Sequence, residues 1–214
     1  LLQEVVFSPN LRPPIPRDVI DAFVARRQRR VEGYAPETPE DLLEWIKERT
    51  LLAQMEFTEL SAVTGTDGIT DRLARGTGTS HDVIVALEDA AALASATGGM
   101  VRFARLDGPT LAPSALDPDV LETHLGNWLQ HAGPLALDEI RQGFPAPGDA
   151  IDAALDTLVA KRELVTGALR EGETTVCWCD ADNYEVLLRM LRRSRQPTFE
   201  PRPGHELTPF LSAW

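Results

Sequence analysis

Two groups of arginines are the residues in this chain best suited to chemistry. Arg26, Arg27, Arg29 and Arg30 close one helical pattern, and Arg189, Arg192, Arg193 and Arg195 close another. A guanidinium is planar, permanently charged and able to grip a phosphate through two parallel N–H···O bonds. The groups stand out because the rest of the chain is acidic: 21 Lys and Arg face 33 Asp and Glu, for a formal net charge of -12. That balance excludes a surface attractive to polyanions all round, so any nucleic-acid contact has to be a local patch. The plainer alternative is that basic residues in a last helical turn complement the negative helix end and pair with nearby carboxylates.

Other candidates have simpler readings. Asp149, Asp152 and Asp156 stand at i, i+3 and i+7, close to Asp138 and Glu139. Carboxylates on one helix face could hold a cation or share acid–base work. Ile151, Ala154, Leu155 and Leu158 form the opposite face, so the aspartates read as the solvated side of an amphipathic helix. His124 and His131 are seven residues apart, and His81 and His205 are isolated. Zinc asks for closer spacing or further ligands. Cys177 and Cys179 flank Trp178 on a β-like run, which turns both thiols to one side, and with no second cysteine pair they read as packing. Trp45, Trp128 and Trp178 read as core more readily than as stacking platforms for bases. No phosphate-binding G-x-x-x-x-G-K-[ST] loop and no G-x-S-x-G elbow occurs. No catalytic residue, metal site or cofactor is therefore assigned.

The elements that carry these residues give an α+β chain, mostly helical. Residues 1–110 read as a helical and mixed α/β subdomain, and residues 111–214 as a winged helix with a C-terminal helix and tail. The proline-bearing stretch Gly108–Pro118 is the boundary. In the second half, a helical pattern around Val120–Leu129 is broken at Gly133-Pro134. A short segment near Leu137–Ile140 and a helix from Asp149 to about Arg162 follow. Next come two β-like runs, Leu164–Leu169 and Thr174–Trp178, and a helix over Asp182–Arg195. Helix, helix, helix, hairpin is winged-helix order. The third helix would occupy the recognition slot, yet it offers aspartates where base readers carry Arg, Lys, Asn or Gln. It is expected to be structural or to present another face. In the first half the pattern predicts a short strand at Glu4–Phe7, an extended Pro9–Pro16 connector and a helix from Arg17 to Val31. A Thr38-capped helix runs to about Leu51, and residues 52–60 continue helical. Residues 61–80 read as loop, with an amphipathic patch at Ile69–Leu73. Val83–Leu87 reads as a buried strand, Glu88–Ala96 as a helix and Val101–Leu106 as a half-wet strand.

Several phrases, taken in order, resemble the DEAD/DEAH-associated region of Lhr-type large superfamily 2 helicases. They are Pro16–Arg26 continuing to Gly33-Tyr34-Ala35-Pro36, then Leu42–Arg49, then Trp178-Cys179-Asp180 with the Leu/Arg-rich helix behind it, then Phe210-Leu211 and Trp214. The resemblance covers most of the chain. It implies an accessory region downstream of RecA-like motor domains in one polypeptide, with single-stranded or tailed DNA as partner. ATP and magnesium would belong to the motor domains, which this chain lacks. A DNA-repair helicase, itself a hydrolase, is the implied parent. The rival reading is an architectural or protein-interaction winged helix that packs on neighbouring domains and touches no DNA.

The 214 residues suffice for a real core. No apolar run approaches the roughly 18 residues of a membrane helix, and no secretory signal is visible. Two cysteines in C-x-C spacing fit a reducing compartment, so the expected location is the cytoplasm with no membrane partner. The absence of an initial Met and the apolar ending Pro209–Trp214 lead us to expect a piece of a longer protein. Gln196–Glu206, rich in Pro, is expected to be irregular.

Overall fold

The computed structural model describes residues 6, 8, 12–78 and 82–196. The expected strand at Glu4–Phe7 lies outside these except for Val6. His81, most of Gln196–Glu206 and the ending Pro209–Trp214 also lie outside them. The chain is α+β and mostly helical, with eight α-helices and two small antiparallel sheets among the described residues.

Helix α1 (Arg17–Arg27) starts directly after the prolines and buries Val19 and Phe23. Helix α2 (Pro39–Arg49) starts with a capping box: Asp41 N–H donates to the Thr38 hydroxyl and Thr38 N–H to the Asp41 carboxylate. Strand β1 (Leu52–Ala53) and helix α3 (Gln54–Thr64) follow, then a 3-10 turn at Thr70–Arg72, β2 (Leu73–Thr77), β3 (Val83–Ala86), α4 (Ala90–Ala96) and β4 (Arg102–Arg105). The sheet order is β1-β3-β2-β4. All four β3 residues are buried, which explains the unbroken apolar run in the sequence. Val83 and Val85 join the core shared with α4, α5 and α7, whereas Ile84 and Ala86 join a second core with Leu42, Leu43 and Phe57.

Residues 61–78, expected as loop, hold the end of a helix, a 3-10 turn and a strand, and residues 79–80 of that stretch lie outside the described residues. Helix α3 runs to Thr64, and β2 lies inside the sheet, paired to β3 on one side and β4 on the other. Gly76 looks like turn chemistry in the sequence, but it meets a packing demand: a Cβ there would lie 2.6–2.8 Å from Val101, Phe103 and Val83. Residues 52–53 pair with Ile84 and Val83 as a strand instead of continuing a helix.

Helix α5 (Pro118–Leu129) is capped by the Asp117 side chain, which accepts from the Asp119 and Val120 amides. Then come β5 (Leu135–Ala136), α6 (Leu137–Gly143), α7 (Gly148–Ala160), β6 (Leu164–Gly167), β7 (Cys177–Asp180) and α8 (Ala181–Ser194), with sheet order β5-β7-β6. The last strand starts three residues later than expected. Leu164 pairs with Asp180 and Gly167 with Cys177, which leaves the β-prone Thr174 and Thr175 in the connecting loop. Asp180 both ends the strand and caps α8 through the Asn183 amide.

The cores cross the Gly108–Pro118 stretch. One cluster holds Val83, Leu93 and Phe103 together with Leu121, Leu125, Leu155 and Leu158. Another joins Ile15, Val19 and Phe23 to Val165, Leu169, Tyr184, Leu187 and Leu191. Each such Leu or Phe contributes about 1.5–3 kcal/mol by leaving water.

Candidate nucleic-acid interface

The two arginine groups ride on helices that pack against each other in opposite directions. Arg27 Nε and Asn183 Nδ2 both donate to the Gln130 carbonyl, at 2.7 and 2.8 Å, so the end of α1 lies beside the start of α8. At the other end Ile15 is bonded to Leu169 and Glu171, and Arg195 lies 4.0 Å from Glu171. The groups therefore sit at opposite ends of the pair, separated by the length of α8, about 20 Å. Exposed Asp18 and Asp21 on α1 and Asp182 on α8 share those helices, and the two groups do not merge into one cluster.

In the first group most side chains are engaged within the fold. Arg27 is held by Gln130, and Arg30 donates to the Gln28 side chain. Arg29 lies 4.5 Å from the Trp45 ring centroid and pairs with Glu48 at 2.7 Å. Arg26 alone of the four is exposed with no hydrogen bond or ion pair from its side chain to described residues. In the second group Arg189 pairs with Glu185 one turn back. Arg192 and Arg193 are exposed and meet no carboxylate among the described residues. An exposed pair such as Arg195–Glu171 is worth little and gives way easily to a phosphate.

The third helix of the C-terminal half, α7, buries Ile151, Ala154, Leu155 and Leu158 and turns Asp149 and Asp156 to solvent. Asp152 takes two hydrogen bonds from Arg141, at 2.7 and 2.8 Å. No Arg, Lys, Asn or Gln occurs in α7. The β6–β7 loop is also committed. Arg170 donates to the Pro134 carbonyl at 2.6 and 3.0 Å and to Glu139. Burial would raise Glu139, but the bonds from Arg170 and the Ala136 amide hold its carboxyl below the usual range. The extended segment before α1 stitches on beside it: Ile15 N–H donates to Leu169, Glu171 N–H to Ile15, the Tyr184 hydroxyl to Pro13 at 2.8 Å, and Arg12 to Thr166. Sequence reasoning missed this latch, because an arginine in a turn gives no sign of which carbonyl it will reach.

Trp45 is 1% exposed, more deeply buried than a one-sided amphipathic pattern predicts. Arg29 and Arg49 lie over it and His131 meets it edge-on at 5.5 Å. Burial, then Arg49 and Arg27, push His131 down to about 4. Burial also lowers His124 against the opposing effect of Asp89. His131 lies past the end of α5 and His124 within it. Cys177 and Cys179 are free and buried, and burial raises both thiols. Among the described residues no group of His, Cys, Asp or Glu could hold a metal ion. Trp128 packs edge-on against Phe144 at 5.9 Å. Among the described residues no helix is long and apolar enough to cross a membrane.

Compared with known proteins, the chain matches no family model and no curated sequence.

Proposed function

We propose that the chain is an accessory nucleic-acid-binding module of an Lhr-type DNA helicase, that residues 118–180 are a winged helix, and that ATP hydrolysis takes place in RecA-like motor domains outside this chain. The order helix–strand–helix–helix–strand–strand with β7 central in its sheet supports the winged-helix reading. One observation carries the nucleic-acid reading: Arg192 and Arg193 stand exposed, without a carboxylate partner among the described residues, between Arg189 and Arg195 at the end of α8. Contact is to phosphates, not base edges, because the exposed groups are the α8 arginines and α7 offers no Arg, Lys, Asn or Gln. The module holds or routes single-stranded or tailed DNA behind the motor.

The test is binding to a labelled single strand and a 3′-tailed duplex across a salt series. If two or three phosphates are neutralised, log K falls with log salt at a slope of about -1.4 to -2 on a single strand. Arg192→Ala/Arg193→Ala should flatten that slope and weaken binding on every sequence alike. A second reading, an architectural module that packs on neighbouring domains, is favoured by the acidic α7 and the stitched β6–β7 loop. It stands if no binding occurs at low salt.

A further inference from the structure

A groove of about 310 Å³ lies between α1, the turn before β5 and the β6–β7 loop. Its floor is apolar: Ile20, Val24 and Leu135 are only partly buried there. Its shape depends on Gly133, where a Cβ would lie 3.0 Å from Ile20 and 3.1 Å from Val24. Its rim is acidic, with Asp21, Glu171 and Glu173 all exposed. The lining holds four carboxylates and two guanidinium groups. Each rim carboxylate has an arginine neighbour, Asp21 with Arg17 at 3.8 Å, Glu173 with Arg170 at 3.6 Å and Glu171 with Arg195 at 4.0 Å. Arg170 is shared with Glu139 and the Pro134 carbonyl, so four carboxylates meet three guanidinium groups, and these long, solvent-accessible pairs exchange readily.

An apolar floor inside a ring of carboxylates fits an apolar side chain with cations on either side. We propose that this groove docks a short segment of a partner protein in which an aliphatic anchor is flanked by lysine or arginine. The anchor covers Ile20, Val24 and Leu135, and the flanking cations meet Asp21, Glu171 and Glu173. Each exposed ion pair is weak alone; the anchor desolvates the centre and the rim charges select the sign of the flanks. The proposal does not rest on the nucleic-acid reading, whose residues lie on α8.

The experiment uses the full chain and fluorescein-labelled peptides in anisotropy titrations. The hexapeptide KRLLRK is compared with KRSSRK, which lacks the anchor, and EELLEE, which reverses the flanks. The expected result is binding of KRLLRK at least about tenfold tighter than either control, and about tenfold weaker binding to Asp21→Lys/Glu173→Lys. Comparison among the peptides keeps the test valid even if that variant folds poorly. Equal binding of KRSSRK would overturn the proposal, because the chain's net negative charge alone would then account for it. So would undiminished binding by a folded variant, or self-association on sedimentation that the variant abolishes, which would make a second copy of the chain the occupant. Single-strand binding does not require Asp21 or Glu173 and peptide binding does not require Arg192 or Arg193, so loss of one activity leaves the other standing and the two proposals fail separately.

Discussion

At the scale of single residues, the buried knot around Trp45 ties α1, α2 and the turn after α5 together. Arg49, nine-tenths or more buried, pairs with Glu56 at 3.2 Å. Removing the partner of a buried charge leaves the desolvation cost uncompensated, so Glu56→Ala is expected to cost on the order of 2–3 kcal/mol in urea unfolding. His131 provides a pH signature. Its folded-state pKa is about 4 against an ordinary 6.5, so the unfolded chain takes up a proton that the fold refuses. Its contribution to stability is complete above about pH 6.5 and is lost as pH falls toward 4. Urea midpoints at pH 7, 6 and 5 should fall for the native chain and fall less for His131→Gln. Little of this knot was legible in the sequence. The helical spacing marked one buried face for Trp45 and puts Arg49 one turn on, but Arg29 and His131, which close over it from beyond the ends of α1 and α5, are not brought there by linear spacing. The arginine groups themselves were visible as clusters. Which of them are spent internally depends on where Gln130 and Glu48 end up.

At the scale of elements, the periodic segments were legible and the packing-driven ones were not. Helices α2, α5, α7 and α8 lie within a few residues of their expected spans, because each has an apolar stripe and three have a Thr or Asp cap. Thr38→Ala should cost about 1 kcal/mol by removing the cap of α2, measurable by chemical denaturation. Strand β2 escaped because its glycine signals a turn while its neighbours require a missing side chain. Gly143 makes a similar demand at the end of α6: a Cβ there would lie 2.6 and 2.7 Å from two atoms of the Trp128 ring. Gly143→Ala is expected to cost about 1–3 kcal/mol by overpacking and to shift the near-ultraviolet signal of Trp128.

At the scale of the whole molecule, the first described elements complete the core of the last. Ile15, Val19 and Phe23 cover Tyr184, Leu187 and Leu191, a closure that no local pattern announces because it depends on which faces meet. Tyr184→Phe keeps the ring and drops the bond to Pro13, at an expected cost of about 1 kcal/mol in unfolding free energy. The same closure governs when the chain can fold. Pro13 and Tyr184 are 171 positions apart, and Arg12 and Thr166 are 154 apart. During synthesis at about 5–20 residues per second, α1 waits roughly ten seconds or more before its counterpart helix leaves the ribosome. Through that interval Val19 and Phe23 lack the α8 side chains that bury them in the finished fold. The sheet of β1–β4, whose contacts lie much nearer in sequence, is expected to assemble before α1 closes onto α8, the contact with the longest loop to bridge.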